Sequence, residues 1–204
     1  MKVILGVLAV LGALGVAFLY VEETKPSWYV RLRYPLEYDH IVRGHARQYD
    51  LDAALLAAVI YRESKFDSDA RSSSGAIGLM QLLPDTAQGI AQLTGGNRFR
   101  VDDLYDPEIN VRYGSFYLRR LLRKYENRRL ALAAYNAGQA NVDRWLDEGR
   151  EDIPFPETEE FVENVLDTRE LYARAYADEL GLEDSPAPEE PEPPPIVGST
   201  SETD

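Results

Sequence analysis

The sequence predicts a mainly α-helical domain with one small extended element, and three observations carry that expectation. Apolar residues recur at steps of three and four through most of residues 38–180. Several of those segments open on helix-starting residues, namely Asp52, Pro84 and the pair Asp106-Pro107. Only residues 72–83 are short, glycine-punctuated and β-permissive.

Taken in order, the chain begins with an uncharged run. Lys2 precedes nineteen residues, 3–21, without a charge, and Glu22 and Glu23 follow. Such a run is long enough to cross a bilayer as a helix and longer than a usual signal-peptide core. Its small residues Ala13 and Gly15 fall inside the stretch, so no cleavage site is evident and an uncleaved anchor is favoured over a signal sequence. With Lys2 on the cytoplasmic side, the rest of a single-pass chain is expected outside the cytoplasm, at the cell membrane. Residues 1–24 are therefore assigned to this segment and residues 25–37 to a linker.

The domain is expected over residues 38–180. Tyr38, Ile41, Val42, His45 and Tyr49 mark one helical face, and Asp52 caps the next helix, which carries Glu63. Pro84 opens a helix that Thr94-Gly95-Gly96-Asn97 closes. Asp106-Pro107 starts another with Ile109, Tyr113, Phe116, Tyr117 and Leu121 inward. Shorter pieces follow at residues 130–135 and 141–146, and after Pro154 and Pro156 a single helix is expected from about 157 to 180. Residues 181–204 form an acidic, proline-rich tail. From residue 183 on it holds six of the twelve prolines and −7 of the formal −13 charge. That composition predicts disorder.

Composition narrows the function. Hydrophobic content of 45% suits a globular core. The absence of cysteine excludes disulfides, thiol catalysis and zinc-thiolate sites. An acidic chain lacks the clustered Lys and Arg that phosphate binding requires, which argues against nucleic acid. His40 and His45 are not spaced as a metal pair and are read as structural; no metal or cofactor is expected.

Glu63 is the residue with chemical potential. Leu55, Leu56, Val59 and Ile60 precede it, and helical steps carry their face onto it. A carboxylate continuing a buried stripe is costly to ionise and should hold a proton near neutrality, which suits it to protonate a leaving oxygen. On residue pattern alone, a surface glutamate paired with Arg62 or Lys65 is the equal alternative.

Three blocks tip the balance. Glu63-Ser64, then Gly75-Ala76-Ile77-Gly78-Leu79-Met80-Gln81, then Ala134-Tyr135-Asn136-Ala137-Gly138 resemble, in order, the signature motifs of the soluble-lytic-transglycosylase family. The similarity runs from about Tyr38 to about Tyr172. It implies a goose-type lysozyme-like helical fold and cleavage of the β-1,4 bond between MurNAc and GlcNAc in peptidoglycan. Glu63 would be the catalytic acid, with the substrate's own C6 hydroxyl as nucleophile and a 1,6-anhydro product. It further implies substrate contacts by Ser72, which would hold the N-acetyl group, and by Met80, Gln81, Tyr135 and Asn136. The Tyr135 hydroxyl is expected near Glu63, where it could orient the acid.

One block departs from the pattern. Glu157-Thr158-Glu159-Glu160-Phe161-Val162 carries phenylalanine where many relatives have tyrosine, leaving a stacking role for Phe161 but no hydroxyl. Two other readings stay open. A goose-type muramidase would deliver water and draw on a second carboxylate such as Asp67 or Asp69. A non-catalytic module would bind glycan strands or recruit partners through the tail.

Overall fold

A computed structural model describes residues 2–150 and 152–182, with backbone alone for residues 2–5 and 7–10. Ten α-helices account for most of the described residues: α1 Lys2–Thr24, α2 Ser27–Arg33, α3 Asp39–Tyr49, α4 Ala53–Ser64, α5 Pro84–Thr94, α6 Pro107–Tyr125, α7 Arg128–Ala137, α8 Gln139–Asp147, α9 Pro156–Ala175 and α10 Ala177–Leu180. A 3-10 helix, Val101–Tyr105, precedes α6. The extended element reduces to two isolated antiparallel bridges, Arg71 with Ile77 and Ile77 with Leu82.

The expected caps are in place. The Asp52 carboxylate accepts the Ala54 and Leu55 amides at 2.9 and 3.1 Å. Its other oxygen takes Arg169 of α9 at 2.8 Å, so one side chain starts α4 and fastens it to α9. Asp106 accepts the Ile109 amide at 3.0 Å; Asn127, a cap not read from the sequence, does the same for Leu130 at 3.1 Å.

α4 is the axis of the core. Every residue from Ala53 to Tyr61 is buried, so the helix is enclosed all round instead of on one face. The main core gathers α4 with α3, α6, α7 and α9. A second, smaller core, including Ile77, Leu82, Ile90, Leu104 and Tyr113, lies under α5 and the 3-10 helix. Tyr117 packs against both. The two histidines sit on α3: His45 is buried between Gln48 and Glu108, and His40 is exposed.

Two expectations about elements are corrected. The region read as a linker, residues 25–37, contains α2, which packs on α9 with Val30 buried. The last helix is also not continuous: α9 ends at Ala175, Tyr176 leaves helical geometry, and α10 returns toward α3. The break lets the Tyr176 hydroxyl donate to the Tyr34 carbonyl at 3.0 Å and buries Leu180.

Among the described residues no helix is long and apolar enough to cross a membrane. The anchor expected over residues 3–21 falls in part on residues 3–5 and 7–10, whose side chains lie outside the described set. The tail from residue 183 onward also lies outside the described residues.

Candidate active site

A cleft of about 440 Å³ opens where the C-terminal ends of α4 and α7 meet the N-terminal ends of α5 and α9. Glu63 contributes from the last turn of α4. Burial lifts its carboxyl to about 8, with no cation contributing, so the acid is mostly protonated at neutrality. The alternative pairing with Arg62 or Lys65 is not made.

The helix is stopped sharply beyond Glu63. Lys65 and Phe66 both adopt left-handed backbone, φ 54° and 66°, and Phe66 turns into the core against Tyr172. Consecutive non-glycine residues in this region are unfavourable, and tertiary packing holds them there. The Ser64 hydroxyl donates to the Leu79 carbonyl at 2.9 Å and ties the end of α4 to the glycine-bearing loop.

That loop is a small scaffold. The Gly75 amide donates to the Ser72 carbonyl at 3.0 Å, closing a tight turn over Ser72, Ser73 and Ser74. Gly78 has φ 77°, and a β-carbon there would collide with the Asn110 amide and the Leu104 carbonyl. Asn110, wholly buried on α6, explains the crowding. Its Nδ2 donates to the Ile77 and Leu104 carbonyls at 2.9 and 2.8 Å, and its Oδ1 accepts the Met80 amide at 2.8 Å. One buried side chain thus satisfies three backbone groups and sets the loop's path.

The cleft brings together Glu63, Ser72, Gln81, Tyr135 and Asn136 from four separated stretches of chain. The Ser72 hydroxyl accepts the Ala76 amide at 3.0 Å and shares a hydrogen bond with Ser74 at 2.8 Å. Gln81, held at φ 47°, donates its amide to the Gly78 and Ala70 carbonyls at 2.9 and 3.2 Å. Asn136 accepts the Thr158 hydroxyl at 2.9 Å and joins the end of α7 to α9.

Two expected roles differ in the structure. Met80 does not reach the cleft; its side chain is fully buried against Gly114, where only a residue without a β-carbon leaves room for the sulfur. The Tyr135 hydroxyl donates to the Met80 carbonyl at 2.7 Å, so its proton is committed to the loop and not to the acid. Burial raises the Tyr135 hydroxyl well above its ordinary range, and the charge of Glu63, which lines the same cleft, adds to that. Met80 therefore bears on the site only through its carbonyl, which holds Tyr135.

Asp67 and Asp69 are exposed in the turn after α4, where the Asp69 amide donates to Asp67 at 2.9 Å, and neither lines the cleft. Phe161 packs against the main core, also off the cleft. Cleft residues not named as substrate contacts from the sequence include Leu83, Thr86, Tyr117 and Glu157. Glu157 opens the family-like block at residues 157–162, in which the sequence assigned a role to Phe161 alone. Among the described residues no group of three His, Cys, Asp or Glu side chains is placed to hold a metal ion.

Fold and site together define a helical body with one protonated acid in an open groove. The chain belongs to the transglycosylase SLT-domain family, whose model matches residues 40–153. It is 35% identical over 145 residues to the soluble lytic murein transglycosylase of Salmonella typhimurium, covering 66% of this chain and 22% of that protein. It is 36% identical over 131 residues to membrane-bound lytic murein transglycosylase F of Yersinia pestis, covering 54% and 25%. In three dimensions it resembles the 70-kDa soluble lytic transglycosylase of Escherichia coli, with a TM-score of 0.68 and 31% identity over 76% of this chain and 27% of that one. An inactive mutant of the lytic transglycosylase Slt from Pseudomonas aeruginosa gives 0.67 and 34% over 76% and 26%. The fold is thus the lysozyme-like helical one. The chain spans about a quarter of the length of the relatives it matches.

Proposed function

We propose that this chain is a peptidoglycan lytic transglycosylase, cleaving the MurNAc–GlcNAc β-1,4 bond. The observation that carries the reading is Glu63: one buried carboxyl, protonated near neutrality, in a groove open enough for a sugar chain. It delivers its proton to the glycosidic oxygen as the C1–O bond breaks, while the muramic-acid N-acetyl oxygen closes on C1. The sugar's C6 hydroxyl then attacks C1 and returns its proton to Glu63. The acetamide is released, a 1,6-anhydro end forms, and no water is consumed. Tyr135, Gln81 and the Ser72 turn shape the groove around the reacting sugar.

A second reading rests on Glu157, which lines the same cleft. As a base in that cleft it could activate water and make the enzyme a two-carboxylate hydrolase. Digestion of purified peptidoglycan in heavy-oxygen water decides between them. Unlabelled anhydro ends, with activity retained in Glu157→Gln, support the transglycosylase. Labelled reducing ends, with activity lost in that variant, support the hydrolase.

The cellular setting belongs to the same proposal. Residues 3–21 anchor the chain in the cytoplasmic membrane with the domain outside, where peptidoglycan lies. The uncharged run behind Lys2 and the 23-residue helix α1 support it. Protease added to intact spheroplasts should remove the domain; protection of the domain while external proteins are cut would reverse the orientation.

A further inference from the structure

α2 presents two unlike faces. Its inner face is bolted to the domain: Val30 is buried in the main core, the Tyr61 hydroxyl donates to the Arg33 carbonyl at 3.1 Å, and Arg31 pairs with Glu179. Its outer face carries Trp28 and Leu32, four residues apart and therefore on one side, 61% and 77% exposed. A single exposed leucine signifies little. An indole and a leucine on a face that the domain leaves uncovered, directly after an apolar helix, is a different matter.

The position of α2 relative to α1 adds the second observation. Only Lys25 and Pro26 separate the two helices, and Lys25 breaks the helical path with φ 40°. The Tyr29 hydroxyl then donates to Glu22 at 2.5 Å. Glu22 is the first residue after the uncharged run, so this contact draws the first turn of α2 level with the point where that run ends. The polar zone of a bilayer is about 5–8 Å deep on each side. Trp28, next to Tyr29 in that first turn, falls within reach of it. Tryptophan favours this zone because its ring is apolar and its N–H is polar. Lys25 just before α2 and Arg33 at its end supply positive charge that anionic lipid would attract.

We propose that the Trp28–Leu32 face of α2 seats in the headgroup region of a bilayer containing anionic phospholipid, and fixes how the domain stands on the membrane. This rests on the reading of residues 3–21 as an anchor. Because the Tyr176 hydroxyl, just past α9, donates to the Arg31 carbonyl of α2 at 3.4 Å, and Glu157 lines the cleft from the other end of α9, seat and cleft lie about 28 Å apart along that helix. The anchor would then hold the groove at a set distance and not on a free tether.

The test uses the full chain reconstituted in phosphatidylethanolamine–phosphatidylglycerol vesicles, with lipids brominated near the carbonyl end of the acyl chains as quencher. The chain has two tryptophans, and Trp145 is buried in the domain. Quenching of Trp28 should lower total emission about twofold, and Trp28→Phe should abolish the quenching while the protein still floats with the vesicles. Protein that floats but shows no quenching refutes the seat and leaves the anchor standing. Protein that does not float refutes the anchor, and the seat falls with it.

Discussion

Replacing Glu63 with glutamine tests the central assignment through two readouts of opposite sign. The folded chain holds the Glu63 proton up to about pH 8, whereas the unfolded chain releases it near the ordinary glutamate value of 4.5. Folding between those values takes up a proton. The stability Glu63 allows is therefore fully present below about pH 4.5 and is lost as pH rises through about 8. The loss is on the order of 3 kcal/mol at pH 7 and about 5 kcal/mol above pH 8. Glutamine has nearly the same shape and never ionises, so Glu63→Gln should gain on the wild type by about that much as pH rises, and match it near pH 4. Paired denaturant titrations at pH 4, 7 and 9 measure the difference. Release of soluble fragments from purified peptidoglycan should meanwhile fall at least about a hundredfold in the variant, because the transferable proton is gone. Wild-type turnover should hold up to about pH 8 and decline above it. Near-full activity in the variant, a wild-type decline centred near pH 5, or a stability difference that ignores pH would each refute the reasoning.

Other expectations concern the scaffold around the acid. Gly78→Ala drives a β-carbon into Asn110 and Leu104 at a backbone angle alanine resists, and should destabilise by more than about 2 kcal/mol in chemical unfolding. Asn110→Leu removes the side-chain partners of the Leu104 carbonyl and the Met80 amide and leaves the Ile77 carbonyl with the Leu82 amide alone; a loss of about 3 kcal/mol or more is expected, and a neutral result would remove Asn110 from the account. Tyr135→Phe removes the bond to the Met80 carbonyl and should cost about 1 kcal/mol of stability, with reduced turnover on peptidoglycan. Asp67→Asn and Asp69→Asn, both exposed and off the cleft, should each retain most activity in the same assay.

Much of the framework was legible before any coordinates. Asp52, Pro84 and Asp106 act locally, through hydrogen bonds and ring geometry within a few residues, so their helix starts can be read from the chain directly. The phase that carries Leu56 and Ile60 onto Glu63 is likewise a property of one helix. α2 escaped notice because seven residues seldom form a helix unaided; packing on α9 stabilises it. The break at Tyr176 was hidden for a related reason, since nothing within α9 or α10 calls for it and the partner carbonyl lies at Tyr34.

The sequence by itself determined the family's motif order, the helical class, the caps and the one acid placed at the end of an apolar stripe. Each of these depends on spacing along the chain. Tertiary structure decided what the spacing leaves open. It sent the Met80 side chain inward and its carbonyl to Tyr135, gave Asn110 three backbone partners, kept Asp67 and Asp69 out of the groove and brought Glu157 into it. Those outcomes turn on which groups meet from distant segments once α4, α7 and α9 have packed. A group's desolvation, and with it the proton on Glu63, exists only after that packing is complete.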